Sequence, residues 1–356
     1  MSLHQTKAKL VESKADELFR LLAGTRKLLL LTHTNPDPDS LGSAVGLAHL
    51  AGTKFGVECA FGLSGRIMRA ENQEMVKCLD IPLAPMRDVN VAGFDRLAVV
   101  DTQPGFGHTI LPEGRDIDIV IDHHDGPEAT PETPPAFRDV RTDVGATSSL
   151  VTSYLVAAGV EIPAQVATAL YYGIKTDTAD LSRNVSEIDE CAYAHLATLL
   201  DRQKLAAISA PALPPEYFSA LRQALNNVRI YENLVLCSLG RIKAPEMVAE
   251  VADLLLRFEH KDMVFCGGEV NNTYFVSVRT EYGTIDAISL IRDALAGEGT
   301  FGGHGSVAGG SIKLPDGSER TLKRLERRLE RNILRSMGVE DRTVSGLGGA
   351  SELDSD

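Results

Sequence analysis

Lys27-Leu28-Leu29-Leu30-Leu31-Thr32-His33-Thr34-Asn35-Pro36-Asp37-Pro38-Asp39-Ser40 is the stretch that decides the fold. Its apolar start reads as a strand and its Pro- and Asp-rich middle as a loop. The apolar-periodic residues from Leu41 to Leu50 then read as a helix. The pattern returns twice: Arg96 to Val100 is apolar and ends in Asp101, and Ile117 to Ile121 is apolar and ends in Asp122-His123-His124. Strands alternating with helices in this way specify an α/β fold with a parallel sheet covered on both faces. In such a sheet ligands bind beyond the carboxyl ends of the strands, so polar groups far apart in sequence converge there.

Further helical patterns cover Thr147 to Ala157 and Ala164 to Tyr172, the second running into Gly173-Ile174-Lys175-Thr176-Asp177-Thr178. Gly145-Ala146-Thr147-Ser148 opens the first of these, where it serves either as a cap or as an anion contact. A Pro-rich break at Ala210 to Pro215 precedes a helical stretch near Tyr217 to Asn227, expected to bridge two halves. From about Val228, strand-like runs (234–239, 263–266, 274–278) alternate with helical ones (247–258, 284–296), and a glycine cluster follows at Gly302-Gly303-His304-Gly305. A second, smaller α/β domain is the simplest reading. The expected division is residues 1–203, a linker helix over 204–228, a second domain over 229–340, and a small, polar, acidic and disordered tail over 341–356. Leu322 to Leu334 reads as a surface helix with charged outer faces, with a partner or dimer contact as the other reading.

The 356 residues suffice for two domains, each with its own core. No run approaches the roughly 18 apolar residues of a membrane span, and no signal pattern opens the chain, so a soluble cytoplasmic protein is expected. Five scattered cysteines lack zinc-ligand spacing and read as small buried hydrophobes. A formal charge of −13 disfavours duplex nucleic acid as a partner, and no extended basic and aromatic track for a strand is evident. A short anionic substrate remains compatible, because bound cations supply positive charge locally.

His33, Asp37 and Asp39 place an imidazole and two carboxylates within seven residues after the first strand. Asp101 ends a separate strand and suits a carboxylate shared by two ions, while His123 and Asp177 add ligands from other elements. This nitrogen and oxygen set without thiolate fits manganese or magnesium rather than structural zinc. His49 and His108 lie outside the cluster and read as surface or structural residues.

These motifs resemble the DHH phosphoesterases over nearly the whole chain. His33 to Ser43 is similar to the family's first motif, Asp101 to its second, Asp122-His123-His124 to its third and Gly173 to Thr178 to its fourth. The resemblance implies one metal on His33, Asp37 and Asp101, and another on Asp39, Asp101, His123 and Asp177. It makes Asp101, Asp122 and His124 the catalytic group, with Asp122 orienting a ligand and His124 facing the scissile phosphate. A water bridging the two cations would be the nucleophile. The C-terminal half resembles the DHH-associated domain, with Gly302, Gly303, His304 and Arg279 as substrate-binding residues and the active site in the cleft between the domains. Phe301 and Val307 stand where many members have glycine and alanine, and Pro38 separates the two first-motif aspartates.

The implied activity is metal-dependent hydrolysis of short oligoribonucleotides, linear dinucleotides or adenosine 3′,5′-bisphosphate. Pyrophosphatase or exopolyphosphatase action, or a non-catalytic nucleotide-binding regulator, are the alternatives. Short RNA or a nucleotide is the expected partner, neither duplex nucleic acid nor membrane is, and a homodimer is left open.

Overall fold

The computed structural model describes residues 14–126, 134–281 and 285–338, with His304 described by its backbone alone. The chain forms two compact units, Met1–Ala212 and Leu213–Asp356. In the first, α1 (Ala15–Ala23) leads into β1 (Lys27–Leu31), α2 (Pro38–Phe55), β2 (Glu58–Leu63), α3 (Ala70–Cys78) and β3 (Leu83–Pro85). There follow β4 (Arg96–Val100), β5 (Ile119–Asp122), β6 (Phe137–Val140), α4 (Thr147–Ala158), α5 (Ala164–Asp177), α6 (Glu187–Leu196) and α7 (Arg202–Ser209).

The six strands lie in the order β3-β2-β1-β4-β5-β6, and every neighbouring pair is parallel. The run of leucines in β1 is explained by burial on both faces. Leu28 and Leu30 enter the larger core with α2 and α4, whereas Leu29 and Leu31 enter a smaller core with Leu97, Val99 and Val120. Strand order reverses between β1 and β4, and a crevice opens beyond the carboxyl ends of strands at such a reversal. The residues that follow these two strands include His33, Asp37 and Asp101.

Two helix ends are brought to the same place by close packing. A Cβ at Gly42 would approach Ala169 O to 2.6 Å, and one at Gly46 would approach Val151 Cγ1 to 2.7 Å. Gly42 therefore lets α2 meet α5 backbone to backbone, and Gly46 seats α2 against Val151 of α4. Gly173 continues this contact, since its Cβ would lie 2.5 Å from Ser148 Oγ and 2.9 Å from the Asp39 Cα. The first turn of α2, with Asp39, is thus held against the last turn of α5, with Asp177.

The second unit contains α8 (Pro215–Asn226), β7 (Arg229–Tyr231), β8 (Leu234–Arg241), α9 (Glu246–Leu255), β9 (Met263–Val270) and β10 (Thr273–Thr280). It ends with α10 (Ala287–Leu295), β11 (Thr300–His304), β12 (Val307–Lys313) and α11 (Glu319–Ser336). Its sheet runs β11-β12-β10-β9-β8-β7, antiparallel except between β8 and β9. The helices α8 and α9 pack on one face of this sheet and α10 and α11 on the other. The fold class is thus α/β, a parallel-sheet unit followed by a smaller α/β unit.

The segment expected as a linker helix over 204–228 is divided between the units. The helix α7 ends at Ser209, and α8 belongs to the second unit because Tyr217, Ala220, Leu221 and Ala224 pack with Val235 and Cys237 of β8. The tail expected over 341–356 lies outside the described residues. Among the described residues, no helix is long and apolar enough to cross a membrane.

A methyl group at Gly173 has no room beside Asp39. Gly173→Ala is expected to destabilise the protein by about 1–3 kcal/mol through overpacking. The midpoint of urea unfolding reads this, and an unchanged midpoint would show that the helices have slack there.

Candidate metal centre

Asp101 follows β4 directly and adopts φ 58°, a left-handed conformation that Asp tolerates better than most residues. Its N–H donates to Ile121 O at 2.9 Å, which ties the loop after β4 to the end of β5. Its two oxygens face opposite ways. Oδ2 lies 3.9 Å from His33 Nε2, while Oδ1 lies 3.5 Å from His123 Nε2. Asp37 Oδ1 is 3.9 Å from His33 Nε2, completing one group of His33, Asp37 and Asp101. On the other side His123 Nε2 lies 3.1 Å from Asp177 Oδ2 and 4.0 Å from Asp39 Oδ2, forming a group of Asp39, Asp101, His123 and Asp177. Within each group the ligand atoms lie within 4.8 Å of one another, and Asp101 belongs to both.

Local structure holds each ligand in place. Asp37 is the N-cap of α2, accepting from Ser40 N–H at 3.0 Å, and Pro38 occupies the first helical turn. Asp39 is fully buried, and its carboxylate accepts the backbone N–H groups of Thr147 (2.6 Å) and Ser148 (2.8 Å). The N-terminus of α4 therefore binds an anion, and that anion is Asp39. The hydroxyl of Thr147 also reaches Asp101 Oδ1 at 3.2 Å. Upstream, Gly145 N–H donates to Asp189, the residue that also forms the capping box of α6 with Ser186.

His123 Nδ1 donates to Val144 O at 3.2 Å, so Nε2 presents its lone pair to the carboxylates. Buried Nε2 of His123 and Oδ2 of Asp101 have no hydrogen-bond partner among the described residues. An imidazole lone pair facing three carboxylates is satisfied by a cation, and the mixed nitrogen and oxygen donors suit a hard or borderline divalent ion. Asp177 sits in the last residue of α5, where the helix dipole disfavours an anion, which a cation also corrects. The residues present thus fit two divalent ions.

Without cations, protons take up the charge. Burial and then the charges of Asp37, Asp39, Asp177 and Asp122 hold Asp101 well above the ordinary carboxylate range. Burial followed by the Asp177 charge raises Asp39 to about 7. Burial also raises Asp177, against the pull of His123. For His123 burial opposes the charged form, but Asp177 and Asp39 outweigh it and lift the pKa to about 9. Asp37 moves the other way: burial opposes the shift, yet His33 and the Ser40 N–H hold it below the usual range.

His124 stands beside this centre, with its ring 4.2 Å from that of His123. Asp122, the last residue of β5, bonds His124 Nδ1 through Oδ1 at 2.9 Å, so it orients His124. Its other oxygen accepts from Gln103 Nε2 at 2.8 Å, and the same amide donates to His124 O at 2.9 Å. Arg138 Nη2 in turn donates to Gln103 Oε1 at 2.9 Å. Burial disfavours the charged form of His124, but the Asp122 bond raises its pKa overall. Neither Gln103 nor Arg138 was singled out from sequence, although Gln103 lies two residues beyond Asp101.

His108 lies beside His33. Its ring meets that of His33 edge-on at 5.5 Å, and its carbonyl accepts Thr34 N–H at 2.9 Å. It is exposed and belongs to none of the ligand groups found among the described residues, in keeping with the surface or structural role expected. His49 stays apart, bonding Glu161 O at 2.8 Å.

The remaining predicted residues lie in the second unit. Arg279 is buried, and its Nε pairs with Asp253 while Nη1 bonds Ser277 Oγ (2.8 Å) and Val278 O (3.0 Å). Gly302 and Gly303 lie in β11 opposite Gly309 and Ala308. Gly303 has φ 151° and no room for a side chain, since a Cβ would approach Val307 O to 2.3 Å. A Cβ at Gly302 would meet nothing within 4 Å. The backbone of His304 pairs with Val307.

A doubly wound parallel sheet carrying two adjoining ligand groups that share one carboxylate defines a protein built for a pair of metal ions. The chain belongs to the DHH family: residues 27–174 match the DHH family N-terminal domain, and residues 232–331 match the DHHA1 domain. Family members are typically phosphoesterases. An uncharacterised protein of Methanocaldococcus jannaschii is 33% identical over 321 residues, covering 88% of this chain and 65% of that one. The A-adding tRNA nucleotidyltransferase of Geobacter sulfurreducens is 25% identical over 300 residues, covering 80% of this chain and 32% of that one. The chain thus spans about two thirds and one third of these curated relatives. Among solved structures, an exopolyphosphatase-related protein from Bacteroides fragilis shares the fold, with TM-score 0.71 and 18% identity over 91% of this chain and 96% of that one.

The shared carboxylate gives a stoichiometric test. Titration calorimetry with manganese is expected to find two sites in the protein, one in Asp177→Asn, one in His33→Ala and none in Asp101→Asn. One site surviving in Asp101→Asn would mean that Asp101 is not shared.

The raised pKa values add a pH signature. A group whose pKa is raised on folding stabilises the protein fully below its unfolded value and loses that contribution as pH rises through the folded one. This window runs from 3.8 to about 7 for Asp39 and from 6.5 to about 9 for His123. Asp37 acts in the opposite sense, its contribution being lost on acidification below 3.8. The melting temperature of chelated protein is expected to fall from about pH 5 to about pH 9, and manganese to raise it more at the alkaline end, where fewer protons compete. A manganese effect independent of pH would contradict the proton displacement.

Proposed function

We propose that this protein is a metal-dependent phosphoesterase that hydrolyses short oligoribonucleotides, linear dinucleotides or adenosine 3′,5′-bisphosphate. The carrying observation is the pair of ligand groups sharing Asp101 at the strand-order reversal, with an oriented imidazole, His124, beside them. Two cations, manganese by preference or magnesium, would supply an acidified water and neutralise the charge of a phosphoryl group when bound.

The chain's own residues do the rest. His33, Asp37 and Asp101 hold one ion, while Asp39, Asp101, His123 and Asp177 hold the other. The Val144 carbonyl fixes the tautomer of His123, and the α4 N-terminus fixes the Asp39 carboxylate. Asp122 engages Nδ1 of His124 and, against burial, raises its pKa, which favours the doubly protonated ring whose Nε2–H would donate to a phosphoryl oxygen. Gln103, anchored by Arg138, keeps Asp122 in that position. Arg279, Gly302, Gly303 and His304 are proposed to take the nucleotide portion. The open space at Gly302 supports this, because packing alone does not require glycine there.

The test is release of nucleotide and phosphate from pApA, short RNA, adenosine 3′,5′-bisphosphate and pyrophosphate, with manganese, with magnesium and with chelator. Metal-dependent turnover of a nucleotide substrate is expected. His124→Ala should lower kcat about 10²–10³-fold, as loss of one transition-state donor does. Turnover confined to pyrophosphate would move the protein to the pyrophosphatase class, and silence across the panel with both metals bound would favour a nucleotide-binding regulator.

A further inference from the structure

The helix α11 is strongly basic in an acidic chain. It carries seven Arg and Lys residues against three Glu, although the whole chain has a formal charge of −13. At 3.6 residues per turn, Arg320, Arg324, Arg327 and Arg331 fall within an arc of about 60°, and Arg335 prolongs their line. This line lies opposite the face of Leu322, Leu325, Leu329 and Ile333, which is buried against the sheet. The steps of three or four residues amount to about 4.5–6 Å each, and the stripe is about 22 Å long.

The carboxylates of the same helix do not neutralise it. Glu326 accepts from Ser238 Oγ, and Glu330 accepts from Arg229 Nη1 and the Tyr231 hydroxyl, both at 2.6 Å. Glu319 pairs with Lys323. Arg320, Arg324, Arg327, Arg331 and Arg335 are exposed and make no hydrogen bond or ion pair with any described residue. Five guanidinium groups therefore form one unpaired line of charge.

On the flank of α11 beside the stripe lies a cavity of about 620 Å³ between α8, β8 and α11; the amides of Gln223, Asn226 and Asn227, the cations Arg241 and Lys323 and the carboxylates Glu319 and Glu326 line it, and none of the five stripe arginines does. The amides of Gln223 and Asn226 are exposed and uncommitted to any described residue. An amide offers donor and acceptor together, which suits the edge of an unpaired base. A line of arginines at the spacing of successive phosphates, with Lys323 between it and a cavity that presents free amides, fits a strand that carries both phosphates and bases. A second copy of this chain does not fit face to face, because isologous pairing would set arginine against arginine.

We propose that this face of the second unit binds single-stranded RNA, with the arginine stripe following the phosphates and the cavity receiving a base. The surface requires neither metal nor turnover, so it goes beyond the hydrolytic reading and stands apart from it.

The experiment measures fluorescence anisotropy of a labelled RNA of about twelve nucleotides with the full chain in chelator. Contacts to about five phosphates predict an affinity loss of about 100-fold between about 50 and 200 mM salt. Arg324→Gln/Arg327→Gln/Arg331→Gln should bind at least about 10-fold more weakly at low salt and lose only about 10-fold over the same range. The matching triple lysine variant should recover the steep salt dependence, and the melting temperatures of all variants report folding. Asn226→Ala should weaken RNA but not long-chain polyphosphate. Equal RNA binding by protein and glutamine variant would overturn the proposal, as would polyphosphate or anionic vesicles binding more tightly than RNA. No turnover is read, so failure here and failure of the phosphoesterase reading are distinguishable.

Discussion

Like charges gathered at one place are the constraint on which the first unit depends. Asp37, Asp39, Asp101 and Asp177 come from three separate segments, and two of them, Asp39 and Asp101, are fully buried. Carboxylates this close cannot all stay ionised without a counter-charge. Protons on Asp39, Asp101 and His123 are one solution, and divalent cations seated between His33, His123 and the carboxylates are the other. The loop and helix ends around the site are organised so that the second solution is available.

That organisation rests on backbone contact. Glycines in α2 and α5 let the helices approach until Asp39 and Asp177 face the same imidazole. The N-terminus of α4 partly compensates the buried Asp39, and its Thr147 hydroxyl reaches Asp101. Asp189 braces the loop leading into α4. A motif of His and Asp residues would be inert without these supports, because a ligand displaced by an ångström no longer shares an ion.

Much of this was legible in the chain. His33, Asp101 and His123 each follow an apolar run that had to be a strand, and Asp37 and Asp39 follow in a loop before a periodic helix. Such positions identify themselves because parallel strands deliver their ends to one edge. Gln103 and Arg138 were not legible, since an amide near a strand end is common and nothing local says that it will reach Asp122 across 19 residues. The contact of exposed His108 with His33 was not legible either, the two being distant in sequence, although its surface or structural role was. The arginines of α11 were read as ordinary charged outer faces, because in sequence they alternate with glutamates whose inward commitments appear only in the fold.

By itself the sequence determined the strand and helix alternation, the parallel class of the first sheet and the identity of the metal-capable side chains. Those are properties of local pattern and residue chemistry, which are written in consecutive residues. Only the tertiary structure decided that Asp101 turns one oxygen to each ligand group, that α4 grips Asp39 and that α8 belongs to the second unit. Each of these depends on contacts between distant segments, where packing and desolvation select one arrangement from the many that the local pattern allows.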